Sequence, residues 1–437
     1  MNLFFLFVFT FSSLASSNWK NYPYQDPKSV IRFPEDEGRH TKLVVLEWWY
    51  TVIHARGEST GERYSILVTH FNNLFRFFNI TNIDRKTHVS GTALGPLDSK
   101  IGSLDLRHKT QYGTDIYRSR KDETGNLVPF EYEMKTHHDR MGLDVTLKAL
   151  KKPMMVAGDG YTSVGSSGHT WYYSLTRLEV VGTLEFEGHV EKITGEAWMD
   201  HQWGPFFISP VTIGKTFESY EWFCFQMDDG SEIMLSNIYD RSFNLPQTEA
   251  YGRVERIDAH GKNVSTLKRI FTRTGYWQDP VSGHYMSMGW RLQVPEWDLD
   301  LTMTPDFYEQ MVRFPFNGDF WEGSIKVEGT IAGKEVKGKS YGELIHRFNR
   351  PVIKIHKLKT LQDNRFLEVS WDLKNPDAGN PLSYQVILKD QQEVKVLGRN
   401  LKERTFIFPR PKNKNFEIKV IGHSVDGTIS GEESITR

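Results

Sequence analysis

The 437-residue chain has a single cysteine, Cys224. That excludes an internal disulfide and any cysteine-based zinc site. An excess of one charge is also missing: 54 Lys and Arg face 55 Asp and Glu, a formal net charge of -1. Such a balance gives no electrostatic reason to bind nucleic acid or an anionic membrane. Long apolar runs are absent. The run Leu3 to Phe11 is too short to cross a bilayer, so no transmembrane segment is expected. The chain has no HExxH, no phosphate-binding glycine loop and no CxxC. Its 15 histidines, among them His40, His54, His70 and His201, show no ligand spacing, so no metal or other cofactor is expected. One GxSxG match exists, Gly338 to Gly342 around Ser340. A nucleophile elbow joins a strand to a helix, whereas Glu343-Leu344-Ile345-His346 continues a strand pattern. Helical periodicity is scarce, and only Asp306 to Val312 reads as a short helix.

Aromatic residues are plentiful: 12 Trp, 18 Tyr and 28 Phe. They suit pleated, half-buried surfaces and could also line a pocket. Short β-branched and aromatic runs recur, as in Val44 to Ile53, Tyr64 to Thr69, Thr170 to Leu178, Leu184 to Val190 and Thr194 to Trp203. Glycines punctuate them. A second set begins at Glu221, with hairpin signals at Asp228-Asp229-Gly230 and Ala332-Gly333. A third begins near Asn349, with Phe366 to Trp371, Leu382 to Leu388 and Phe416 to Ile421. The pattern predicts an all-β chain of barrels or sandwiches. The last region, residues 350–437, fits a small β-sandwich. The apolar run with Ser12, Ser13, Ala15, Ser16 and Ser17 after it reads as a signal peptide over residues 1–17. A secreted or periplasmic protein is therefore expected.

Two segments concentrate chemistry. In Glu47-Trp48-Trp49-Tyr50, alternation puts Glu47 and Trp49 on one face and Trp48 and Tyr50 on the other. A carboxyl beside an indole inside a barrel would be poorly solvated, would bind its proton tightly and could act as an acid. The structural alternative is a strand-edge Glu47 paired with Arg or Lys. In Trp198-Met199-Asp200-His201-Gln202-Trp203, His201 and Trp203 share one face and Asp200 lies on the other. His201 could move a proton, and the indole could stabilise a cation. The alternative is a core histidine bonded to a carbonyl.

These segments carry a resemblance. Phe33 to His40 followed by Glu47 to Tyr50, Trp171 to Ser174 followed by Gly195 to Gly204, and Phe320 to Gly323 followed by Gly338 and Tyr341 to Leu344 are similar to the AttH-like/carotenoid 1,2-hydratase family. The match runs from about residue 33 to 346. It implies two lipocalin-like barrels side by side and a hydrophobic small molecule, without fixing one reaction. It also implies roles for His201 and Trp203. A Tyr and an acid expected on a following strand fall either on Tyr239 and Asp240 or on Leu235-Ser236-Asn237. The C-terminal layout resembles a fibronectin type III domain, a spacer or a contact for a surface or protein.

The expected domains are a signal peptide (1–17), two lipocalin-like barrels (18–206 and 207–349) and a fibronectin type III-like sandwich (350–437). The candidate catalytic residues are Glu47, Asp200 and His201. The candidates for substrate contact are Trp49, Tyr50, Tyr173, Trp203 and Tyr239. Three functions are open. One is a hydratase, lyase or isomerase acting on an apolar alkene. The others are a non-catalytic carrier of a hydrophobic ligand, and a secreted hydrolase, for which only Ser340 has a nominal motif.

Overall fold

A computed structural model describes residues 18–437 apart from 73, 165–167, 207–218, 240–251, 315–317, 349, 362–363, 375–380 and 391–392. Among the described residues there is no α-helix, and only three one-turn 3-10 segments interrupt the strands. The helix expected over Asp306 to Val312 is not formed. Met311–Val312 pairs instead with Phe320–Trp321. The buried Gln310 side chain donates to the Phe307 carbonyl at 2.8 Å and accepts from the Ser324 amide at 2.9 Å. The segment's polar groups are thus taken up by a neighbouring strand, leaving no run of helical bonds.

The first large sheet has 13 antiparallel strands. Its central strands are Leu46–Gly57 and His189–Gly204, flanked by Arg63–Phe71 on one side and His169–Phe186 on the other. The outermost strands, Thr87–Leu94 and Leu97–Ser99, are consecutive in sequence. The sheet must therefore curl until its two edges meet at Gly95-Pro96. A Cβ on Gly95 would lie 1.7 Å from the Lys109 carbonyl oxygen, so this corner needs glycine. The second sheet, of ten strands, repeats the device: its outer strands, Asn263–Thr266 and Ile270–Arg273, are also consecutive. Both sheets curl as lipocalin-like barrels do, and the chain is all-β as expected. One strand run was misjudged. Leu184 to Val190 is a hairpin, turning at Glu187 (φ 55°) and Gly188 (φ 85°), the left-handed pair that such two-residue turns require.

Burial shows where the two curled sheets meet. Met141–Ala149 alternates between buried and more exposed residues, as a strand with one wet face does. His189–Gly204 begins the same way but is buried on both faces from Ala197 onward. The far face there is covered by the second sheet. Three large apolar clusters result among the described residues. One fills the first barrel, with Trp49, Tyr173, Met199 and Trp203. Another fills the second, with Phe223, Trp290 and Trp321. The third lies between them and takes Tyr50, Tyr172 and Trp198 from the first sheet and Trp222, Cys224 and Tyr341 from the second.

Residues from Ile353 onward form two further sheets of three and four strands around Leu367, Val369, Trp371, Val386, Ile418 and Val420.

Candidate functional site

Register fixes which side chains meet. On the central strands of the first sheet, His201 pairs with Trp49, Trp203 with Glu47, and Asp200 with Tyr50. Tyr173 on the next strand pairs with His201. Cross-strand partners share a face, so Glu47, Trp49, Tyr173, His201 and Trp203 all enter the first barrel. Asp200 and Tyr50 face the second sheet. The candidates named from sequence therefore divide between two places about one strand thickness apart.

Inside the barrel, three polar groups converge. His40 Nδ1 lies 2.8 Å from Glu47 Oε1, and His201 Nε2 lies 3.1 Å from the same oxygen. His40 Nε2 is 3.0 Å from Asp36 Oδ1. Trp203 stacks on His40 at 3.9 Å and Trp49 on His201 at 4.7 Å. Burial pushes the Glu47 carboxyl up, but hydrogen bonds from His201 and His40 outweigh it and hold the group below the usual carboxylate range. The same exchange runs the other way at His40: burial lowers it, and Asp36 and Glu47 raise it further. His201 is fully buried, and that burial holds it low despite Glu47. At Glu47, expected from sequence to act as an acid, the geometry supplies histidine partners. Glu47 is the carboxylate acceptor of two imidazoles, on a central strand rather than an edge, with histidine and not Arg or Lys as partner. His40, Glu47 and His201 are also the described residues whose atoms could jointly hold a metal ion. Sequence spacing concealed them because His40 lies in a loop and the others on separate strands. His54 and His70 do not join them, and His70 pairs instead with His108 at 3.2 Å.

Between the two sheets lies a cleft with about 670 Å³ of empty space, counting its open mouth. Trp48, Tyr50, Tyr172 and Asp200 line it from the first sheet, and Tyr220, Trp222, Met234 and Glu343 from the second. Apolar and aromatic walls with a few polar groups are the usual make-up of a small-molecule site. Asp200 accepts hydrogen bonds from Tyr172 and, at 2.6 Å, from Trp198 Nε1. Trp222 Nε1 donates to the Tyr172 hydroxyl at 3.1 Å. Glu343 accepts from Tyr220 at 2.7 Å, and Glu322, its cross-strand partner, accepts from Tyr50 at 3.0 Å.

The acids of this cleft hold their protons more tightly than ordinary carboxyls do. Burial raises Asp200 to about 6 against the hydrogen bonds it accepts. Burial raises Glu343 to about 7, with a further contribution from the Asp200 charge. Burial and then the Glu343 charge raise Glu322 well above the ordinary range. The cross-strand neighbours Glu322 and Glu343 cannot readily both ionise. Burial also keeps Tyr50, Tyr172 and Tyr220 as neutral phenol donors.

Sequence reasoning missed Glu322, Glu343, Tyr172, Tyr220 and Trp222 as parts of one site. The available signal was a carboxylate inside each apolar strand run, Phe320-Trp321-Glu322 and Tyr341-Gly342-Glu343. The side chain of Tyr239, and all of Asp240, lie outside the described residues. Ser340 is 1% exposed within the unbroken strand Lys334–Leu344, so the strand reading of the GxSxG match holds.

Two curled antiparallel sheets facing each other across an acid-lined aromatic cleft define a double lipocalin-like protein. Within that class the chain belongs to the AttH-like family, whose profile matches residues 74–346. Two solved structures share the fold. A Nitrosomonas europaea protein assigned as AttH is 17% identical with a TM-score of 0.59, over 74% of this chain and 99% of that one. Kievitone hydratase from Nectria haematococca is 17% identical with a TM-score of 0.54, over 68% of this chain and 88% of that one. A search of curated proteins finds no match.

Proposed function

We propose that this protein is a hydratase, lyase or isomerase acting on an alkene of a hydrophobic small molecule held in the cleft between the two curled sheets. The observation that carries the reading is the placement of Asp200 and Glu343 on opposite walls of one aromatic cleft, each tied to a phenol. A carboxylic acid that keeps its proton near neutral pH is the group an alkene needs, since C=C is a weak base. In the proposed sequence, one carboxyl O–H gives its proton to an alkene carbon and becomes a carboxylate. The carbocation left on the neighbouring carbon faces the Trp48 and Trp222 indoles. Water adds to that carbon and returns a proton to the carboxylate, closing the hydratase cycle. Loss of a different proton from the cation gives an isomer.

The hydratase among the fold neighbours supports this class, and substrate specificity of the carotenoid hydratase kind is not needed by it. In this scheme Asp200 keeps the catalytic role inferred from sequence, Glu343 takes the role first given to Glu47, and Tyr50 contacts substrate. His201, Trp49, Tyr173 and Trp203 support the first barrel from within. We also read residues 1–17 as an export signal and 18–206, 207–349 and 350–437 as three domains. The last is fibronectin type III-like, a reading supported by its sheets: the first, second and fifth strands form one, and the fourth, third, sixth and seventh the other. It would serve as a spacer or a contact for a surface or protein.

The test is turnover of a panel of apolar polyenes and prenylated aromatics, read by mass spectrometry as gain of one water or as an isomer. Asp200→Asn and Glu343→Gln should each lower turnover by about 10²- to 10⁴-fold, the usual share of a general acid. Turnover unchanged in both variants would refute the scheme. Tight binding of a panel member that is never converted would favour a carrier.

A further inference from the structure

The cleft does not use the polar triad inside the first barrel, and that triad has a chemistry of its own. We propose that His40, Glu47 and His201 form a binding site for a first-row divalent cation of the zinc type, separate from the cleft.

The donor set comes first. One ligand atom from each of His40, Glu47 and His201 lies within 4.8 Å of the other two. Two imidazole nitrogens and one carboxylate oxygen are a common three-ligand set for Zn²⁺ and its neighbours, with a fourth position left for water. The spacing is close to what an ion needs. Ligand atoms about 2.1 Å from a tetrahedral ion stand about 3.4 Å apart. The two histidine–Glu47 distances are 2.8 and 3.1 Å and all three ligand atoms lie within 4.8 Å, so small side-chain shifts would bring the set to that spacing.

The surroundings match as well. A metal-bound histidine usually gives its second ring N–H to a carboxylate. His40 Nε2 has that partner in Asp36 Oδ1 at 3.0 Å, and Asp36 is itself fixed by the Arg32 amide at 2.7 Å. The Trp203 and Trp49 stacks hold both imidazole planes. The charges also close: once the ion takes the place of the ring protons on its ligand nitrogens, two neutral imidazoles with the Glu47 and Asp36 carboxylates carry -2, which one divalent cation neutralises. A buried carboxylate otherwise has to be satisfied by histidines alone. The set reaches solvent at His40, whose side chain keeps 19% exposure while Glu47 and His201 keep none.

The experiment is a Co²⁺ titration of the full chain after treatment with a chelator, followed by visible absorption and then by displacement with Zn²⁺. The expected result is one Co²⁺ per chain, with a d–d band that Zn²⁺ removes. His40→Ala should weaken binding at least about 100-fold, since a direct ligand outweighs the 10- to 100-fold typical of an outer partner. Asp36→Asn, which alters only a partly exposed outer group, should weaken it about 10- to 100-fold with an unchanged circular dichroism spectrum. Absence of stoichiometric Co²⁺ binding to the parent protein would overturn the proposal. So would equal affinity in the parent and His40→Ala, either result leaving a hydrogen-bonded triad only. Neither readout depends on turnover in the cleft.

Discussion

Replacing Glu343 with Gln keeps the shape of the side chain and its acceptor for Tyr220, and removes the one thing the site requires of it, a titrating proton. Its effect on stability follows from burial. The folded protein raises this carboxyl from 4.5 to about 7. A shift of about 2.5 units corresponds to about 3.4 kcal/mol between the two protonation states. The side chain is half-buried at the cleft wall rather than sealed, so about 2 kcal/mol is the fairer figure once water is allowed for. The sign is set by linkage. A raised carboxyl favours folding while it is protonated, fully below pH 4.5, and that contribution is lost as pH rises through about 7. Gln cannot ionise and loses nothing. Glu343→Gln should therefore match the parent near pH 4.5 and exceed it near pH 8. At about 2–4 °C per kcal/mol, the gain at high pH is about 4–8 °C in Tm for the barrel transition. The assay is a pair of thermal melts of variant and parent at each pH. A Tm difference that does not change between the two pH values would refute the claim that the fold holds Glu343 in its acid form.

Other consequences are open to measurement. Tyr220 donates to Glu343 and so holds its proton affinity down; Tyr220→Phe should move the alkaline limb of activity, expected near pH 7 in the parent, to higher pH, and an unmoved limb would mean that Glu343 is not the acid. Arg76 and Asp115 form a buried ion pair at 3.0 Å, exposed 0% and 2%; Arg76→Met should cost about 3–5 kcal/mol by leaving Asp115 unpaired, and adding Asp115→Leu should recover much of it in thermal melts. Ser340 is buried on an unbroken strand, so a fluorophosphonate probe should not label the native protein, and labelling would revive the hydrolase reading.

Much of the fold was legible because the chain punctuates itself clearly. Gly and Asp-Gly turns marked the hairpins, and aromatic or β-branched runs marked the strands. Alternation placed Glu47 with Trp49 and His201 with Trp203, and register confirmed both pairs. The legible part ended where a second layer intervened. Alternation says that Asp200 and His201 point apart, but not that both sides are buried, one within a barrel and the other against a second sheet. Glu343 and Glu322 meet the Asp200 wall only because two sheets distant in sequence pack face to face. The partners of Glu47 were hidden for a related reason. Burial alone raises a carboxyl, and His40, whose arrival from a loop no periodicity announces, reverses the balance. Asn79, which fits a glycosylation pattern, is 1% exposed on the strand Phe75–Asn82, so the folded chain cannot present it.

The proposed chemistry is conversion of an apolar alkene by proton transfer in the cleft between the sheets. Its most direct test starts from the ligand. The full-length protein is purified from its own producing cells, its bound small molecules are identified by native mass spectrometry and extracted, and each is returned to parent and Glu343→Gln protein in ¹⁸O-labelled or deuterated water. The expected result is an apolar alkene that the parent converts with uptake of label at the former double bond, and that the variant returns unaltered. A bound compound that the parent protein releases unlabelled under every condition would contradict it and leave a carrier in its place.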